Sequence, residues 1–148
     1  MSWHAAPSVR AALNEANRRW PKRSKASDGT IGDAAHAART SDHNPDAAGV
    51  VHAFDLTDDP ANGVDCDQLA AFLVNERDRR VKYVIRNRMI CESPGWVWKP
   101  YTGTNPHTKH MHVSIHSTTL AENDTSDWWD LKACYVPPTL GRRGYRRN

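Results

Sequence analysis

Cysteine is scarce in this chain. Only Cys66, Cys91 and Cys134 occur in 148 residues, and none belongs to a Cys-x-x-Cys pair. That count excludes a disulfide-built scaffold and a zinc site made of four thiolates, and makes reduced, buried thiols the expectation. Long apolar runs are missing too: nothing approaches the roughly 18 consecutive apolar residues of a membrane span, so no membrane insertion is expected. Met1 to Pro21 alternates charged and apolar residues with no apolar signal core, so no signal peptide is expected. Acid is absent from the last seven residues, which hold four arginines, Arg142, Arg143, Arg146 and Arg147. There is no internal repeat and no low-complexity segment.

What is present suits one globular domain. Hydrophobic residues make up 39% and charged residues 25%, which excludes a disordered chain. Val9, Leu13, Ala16 and Trp20 recur at helical spacing between Pro7 and Pro21, and predict an amphipathic helix. A basic loop from Lys22 to Gly32 leads to a short helix from Asp33 through Arg39, and Asn44-Pro45-Asp46 forces a turn. Val50 to Leu56 reads as a strand, with Asp55 on one face and His52 and Phe54 on the other. Cys66, Leu69, Ala70 and Leu73 mark a second helix ending near Asp78. Val81 to Ile85, Met89 to Glu92 and Met111 to His116 read as further strands. The expected fold class is α+β, a small, mainly antiparallel sheet flanked by helices. Residues 1–118 form the domain and 119–148 a C-terminal extension, docked by Trp128 and Trp129.

Two stretches carry chemistry. In His107-Thr108-Lys109-His110-Met111-His112-Val113-Ser114, strand alternation puts His110, His112 and Ser114 on one face, while Met111, Val113 and Ile115 point to the core. Adjacent imidazoles on one face fit a neutral metal ligand beside a proton-handling group, with Ser114 placed to hydrogen-bond an imidazole. The second stretch is Ser41-Asp42-His43-Asn44-Pro45-Asp46, leading into Val51-His52-Ala53-Phe54-Asp55-Leu56. Asp55, flanked by Ala53, Phe54 and Leu56, needs a cation, either an arginine or a metal. Two His and one Asp compose an open catalytic zinc site, in which three protein ligands leave one position for water.

Ser41-x-His43, Ala53-x-Asp55 and His110-x-His112 together resemble the zinc metallopeptidases that group D-alanyl-D-alanine carboxypeptidases with phage L-alanyl-D-glutamate endolysins. The resemblance covers about residues 25–117. It is nearest to single-module lytic enzymes of phages infecting actinobacteria, through the run Trp98-Lys99-Pro100-Tyr101-Thr102-Gly103 before Asn105-Pro106-His107. It implies one zinc per chain held by His43, Asp55 and His112. It also implies hydrolysis of an amide in the stem peptide of bacterial peptidoglycan, which is then the partner, with no nucleic acid and a monomeric chain. Such an enzyme, made in a host cytoplasm, would reach the wall through a holin-type pore.

Two departures shape the candidate roles. The family usually spaces its His and Asp seven apart, whereas His43 and Asp55 are twelve apart. An inserted turn, Asn44 to Ala48, would absorb the difference, and leaves His52 or His36 as a rival ligand. Where many relatives carry an acidic general base, this chain has Lys109, so the base falls to His110 or His107. Both have an ordinary pKa of about 6.5, and alternation favours His110. Arg39 and Ser41 are candidates for holding substrate, as are Trp98 and Tyr101 as a groove wall. The competing readings are a metal nuclease, because Asp42-His43-Asn44-Pro45 resembles a His-Asn-His motif, and a non-catalytic wall-binding module of the same fold.

Overall fold

A computed structural model of the chain describes residues 2–31 and 41–131. Pro7 pre-sets the backbone for a first helical turn, and α1 spans Pro7–Arg19. Val9, Ala12 and Ala16 make its fully buried stripe. The second helix, α2, spans Cys66–Asn75 and starts where the Asp65 side chain accepts a hydrogen bond from the Gln68 backbone N–H. It stops short of the expected end near Asp78. Arg77 turns left-handed at φ 49°, and Arg77 N–H and Asp78 N–H donate back to the Val74 and Leu73 carbonyls at 3.1 Å each. That pattern closes the helix by satisfying its last carbonyls.

Two short strands, β1 (His4–Ala5) and β2 (Val50–Val51), pair in parallel. The main sheet holds β3 (Ala53–Thr57), β4 (Val81–Arg86), β5 (Met89–Glu92), β6 (Val97–Pro100) and β7 (His110–Ile115). Its order is β3-β7-β4-β5-β6, with every neighbouring pair antiparallel. The single strand expected over Val50 to Leu56 is therefore two strands in two sheets, broken at His52. Asn87 and Arg88, at φ 49° and 70°, give the β4–β5 hairpin the positive-φ turn that matches strand twist.

One face of the sheet carries Phe54, Leu56, Val84, Met111 and Val113, all fully buried under α1 and α2. Residues from 119–131 contribute to the same core. A third helix, α3 (Thr119–Asn123), packs on α1. Trp128 and Trp129 are buried and meet Phe54 edge-on at 5.5 and 6.2 Å. The buried Glu15 carboxylate accepts the backbone N–H groups of both tryptophans, which satisfies polar groups that burial would otherwise strand. Among the described residues no helix is long and apolar enough to cross a membrane. The short helix expected at Asp33 to Arg39, with His36 and Arg39, lies outside the described residues, as do Cys134 and the arginine-rich end.

Candidate metal centre

Strand register does most of the positioning. On the sheet face away from the helices, β7 lies between β3 and β4, so His112 sits opposite Asp55 on one side and Ile85 on the other. His43 arrives from the loop before β2. That loop contains the extra residues between His43 and Asp55, and they form a tight turn. Asp46 N–H donates to Val50 O and Gly49 N–H to Asp46 O, both at 2.9 Å. Asp46 Oδ1 accepts from Ala48 N–H at 2.9 Å and Val50 N–H at 3.0 Å. Gly49 takes φ +82°, and a Cβ there would lie 2.8 Å from the Ser2 carbonyl oxygen, so glycine is required.

Three side-chain atoms converge. His43 Nε2 is 3.0 Å from His112 Nδ1, and Asp55 Oδ1 is 3.2 Å from each. The far end of each imidazole is held. His43 Nδ1 lies 2.8 Å from the Thr30 carbonyl; a carbonyl only accepts, so Nδ1 carries the hydrogen and Nε2 keeps its lone pair. His112 Nε2 lies 2.7 Å from Ser114 Oγ, and donating there frees the Nδ1 lone pair. Two lone pairs and a carboxylate oxygen so close together repel unless a proton or a metal cation lies among them. The separations also approach the edge, about 3.3 Å, of a tetrahedron whose corners lie about 2.0–2.1 Å from a central ion. His43, Asp55 and His112 are thus a group that could hold a metal ion.

A second set of bonds anchors the group. Gly29 and Asp55 exchange backbone hydrogen bonds at 2.8 and 3.2 Å, which fixes the segment carrying the Thr30 carbonyl. Next to it, Asp28 accepts from Arg23 Nη2 at 2.6 Å and Nη1 at 3.0 Å, and from the Thr57 backbone and hydroxyl. Tyr83 stacks on His112 at 5.4 Å and 17°.

The electrostatics follow from burial and proximity. Burial alone would raise the Asp55 carboxyl, but hydrogen bonds and charge from His112 and His43 outweigh it and hold the group well below the usual range. Burial alone would lower His43, yet the Asp55 carboxylate and the Thr30 carbonyl leave it raised. Burial lowers His112 despite Asp55. His110 is also lowered, first by burial, and its Nε2 lies 3.7 Å from Asp55 Oδ1. His107 is pushed down to about 4 by burial, then by the neighbouring imidazoles of His112 and His110. Its ring is edge-on to His110 at 4.8 Å, and its buried Nδ1 has no hydrogen-bond partner.

The converging atoms open into a cleft of about 450 Å³. Ser41, Tyr101, His107 and His110 line it, as do Tyr83 and Ile85, which sequence reasoning did not pick out. Strand alternation places Tyr83 and Ile85 together, but only the β4–β7 pairing sets them beside His112. Trp98 is not brought to the cleft. In β6 it pairs with Cys91 and borders a hollow with Ala70, Ala71 and Arg86 on the helix side of the sheet. His52 also points away from the metal group, toward Glu122 at 2.7 Å, so it is no rival ligand. Asn44 lines a neighbouring hollow rather than the cleft. Searches against protein-family models, curated proteins and solved structures find no match to this chain.

Proposed function

We propose that the chain is a zinc peptidase that hydrolyses an amide bond in the stem peptide of bacterial peptidoglycan. The observation that carries this reading is the convergence of His43 Nε2, Asp55 Oδ1 and His112 Nδ1 within 3.2 Å of one another at the floor of an open cleft. Two imidazoles and a carboxylate without thiolate suit zinc, with manganese or cobalt as substitutes. When bound, zinc supplies a Lewis acid that acidifies water and polarises an amide carbonyl. The wall peptide as substrate is supported by the resemblance in Ser41-x-His43, Ala53-x-Asp55 and His110-x-His112.

The chain's own residues take distinct roles. His110 Nε2, 3.7 Å from the ligand Asp55, takes the proton from attacking water, and its lowered pKa keeps it an acceptor near neutrality. His107 offers its unpaired Nδ1 to the substrate from the cleft wall. Ser41 and Tyr101 line the cleft where the peptide would lie.

The test is digestion of purified peptidoglycan beside a supercoiled plasmid, with mass spectrometry of the released muropeptides. The expected result is new amine and carboxyl ends in the stem peptide and an intact plasmid. Plasmid cutting with untouched wall would favour a nuclease, and binding to wall without new ends a non-catalytic module.

A further inference from the structure

A second group of titratable side chains lies outside the metal centre. The His52 side chain is only 7% exposed and stands between two carboxylates. On one side its Nε2 is 2.7 Å from Glu122 Oε2. A carboxylate only accepts, so Nε2 carries the hydrogen, and Nδ1 is the nitrogen left for a ligand on the other side. There it faces Asp46 Oδ2 across 3.9 Å. That gap exceeds the roughly 2.7–3.2 Å of an N–H···O hydrogen bond. It is also wider than the about 3.3 Å edge of a tetrahedral zinc shell, so the exposed Asp46 side chain closes on the ring by about 0.6 Å to hold an ion. Asp46 Oδ1 is already committed to the Ala48 and Val50 N–H groups, so Oδ2 is the oxygen left to face the ring.

We propose that Asp46, His52 and Glu122 form a second divalent-cation site. His52 Nδ1 and Asp46 Oδ2 are the ligands, and water completes the shell from the adjoining open hollow of about 420 Å³. Glu122 fixes the imidazole tautomer through Nε2, the arrangement in which a carboxylate orients a metal-bound histidine. Nitrogen and carboxylate donors select a transition ion such as Zn²⁺ or Mn²⁺ over Ca²⁺. With only two protein ligands and an exposed Asp46, this site binds more weakly than the His43 group. Asp46 lies three residues from His43 in the same loop, and Glu122 lies on α3. A bound cation therefore fastens the loop that delivers His43 to the C-terminal segment.

The experiment is a calorimetric Zn²⁺ titration of the full-length, metal-stripped chain. Asp46→Asn is the decisive variant. Its Oδ1 still accepts from Ala48 and Val50, while an amide NH₂ replaces the ligand oxygen, so the turn is kept and only the site is lost. Wild-type protein should bind two equivalents, one tight and one weaker. Asp46→Asn and His52→Gln should each lose the weaker one, and His112→Ala should lose the tight one and keep the weaker. A single equivalent that His112→Ala abolishes overturns the second site and leaves the first standing. Two equivalents retained in Asp46→Asn also overturn it. A single equivalent lost in Asp46→Asn but kept in His112→Ala supports it and instead removes the proposed catalytic centre.

Discussion

Ser114→Ala is the sharpest perturbation of the metal group, because it alters no ligand. Ser114 is fully buried on β7, and its hydroxyl is the 2.7 Å partner of His112 Nε2. Without it, the imidazole N–H that sets the Nδ1 lone pair toward Asp55 loses its acceptor in a place water does not reach. A buried donor left unsatisfied costs about 1–3 kcal/mol. Loss of an outer partner of a metal-bound histidine typically costs about 10–100-fold in metal affinity, or about 1.4–2.7 kcal/mol. The two ranges agree, so we expect zinc affinity to fall by about 10–100-fold. The stacked Tyr83 ring keeps His112 roughly in place, which limits the loss to that range. The assay is competition against a chromophoric chelator, with Ser114→Thr as the hydroxyl-retaining control. Unchanged zinc affinity in Ser114→Ala would refute the tautomer argument, and with it the use of Nδ1 as a ligand atom.

Three other outcomes are expected. His110→Ala should keep zinc and fold but lose about 10²–10⁴-fold in turnover, read by parallel kinetics and elemental analysis; near-normal turnover with His107→Ala inactive would exchange the two roles. Arg86→Met should lower turnover while zinc content holds, because Arg86 Nη1 donates to the carbonyls of Thr108 at 2.8 Å and of His107 and His110 at 3.4 Å; a shift of about 1 Å in those histidines can cost about 10²-fold. For pH, burial alone would raise Asp28, but the Arg23 and Thr57 bonds leave it lowered. Its contribution to stability is therefore present above the unfolded pKa of about 3.9 and fades as pH falls through the lower folded value. Urea melts of metal-stripped wild type and Asp28→Asn should accordingly differ at neutral pH and converge in acid, and a constant difference would contradict this.

Local patterning was legible in the sequence, and long-range pairing was not. The alternation of Met111, Val113 and Ile115 against His110, His112 and Ser114 follows from the two-residue period of a strand, and it placed Ser114 beside an imidazole. Asp55 stood out because a carboxylate among apolar neighbours needs a partner. By contrast, nothing local says that β7 lies between β3 and β4, so Tyr83 and Ile85 escaped notice as neighbours of His112. The place of Trp98 away from the cleft was not legible either, because β6 is a short edge strand with an exposed Val97, and its register decides which face the ring takes. Trp128 and Trp129 sit in the core through Glu15, a helix residue more than a hundred positions away, a contact no window of sequence contains. The break at His52 likewise depends on its backbone leaving β1 for Asp42 and Ile115.

The most direct measurement is hydrolysis of a defined peptidoglycan stem peptide by the full-length chain, stripped of metal and then reloaded with one equivalent of zinc. The account predicts no cleavage when stripped, cleavage of one amide bond on reloading, and none in His112→Ala under the same zinc. An intact peptide with the reloaded wild-type protein, or equal cleavage by the stripped protein, would contradict it.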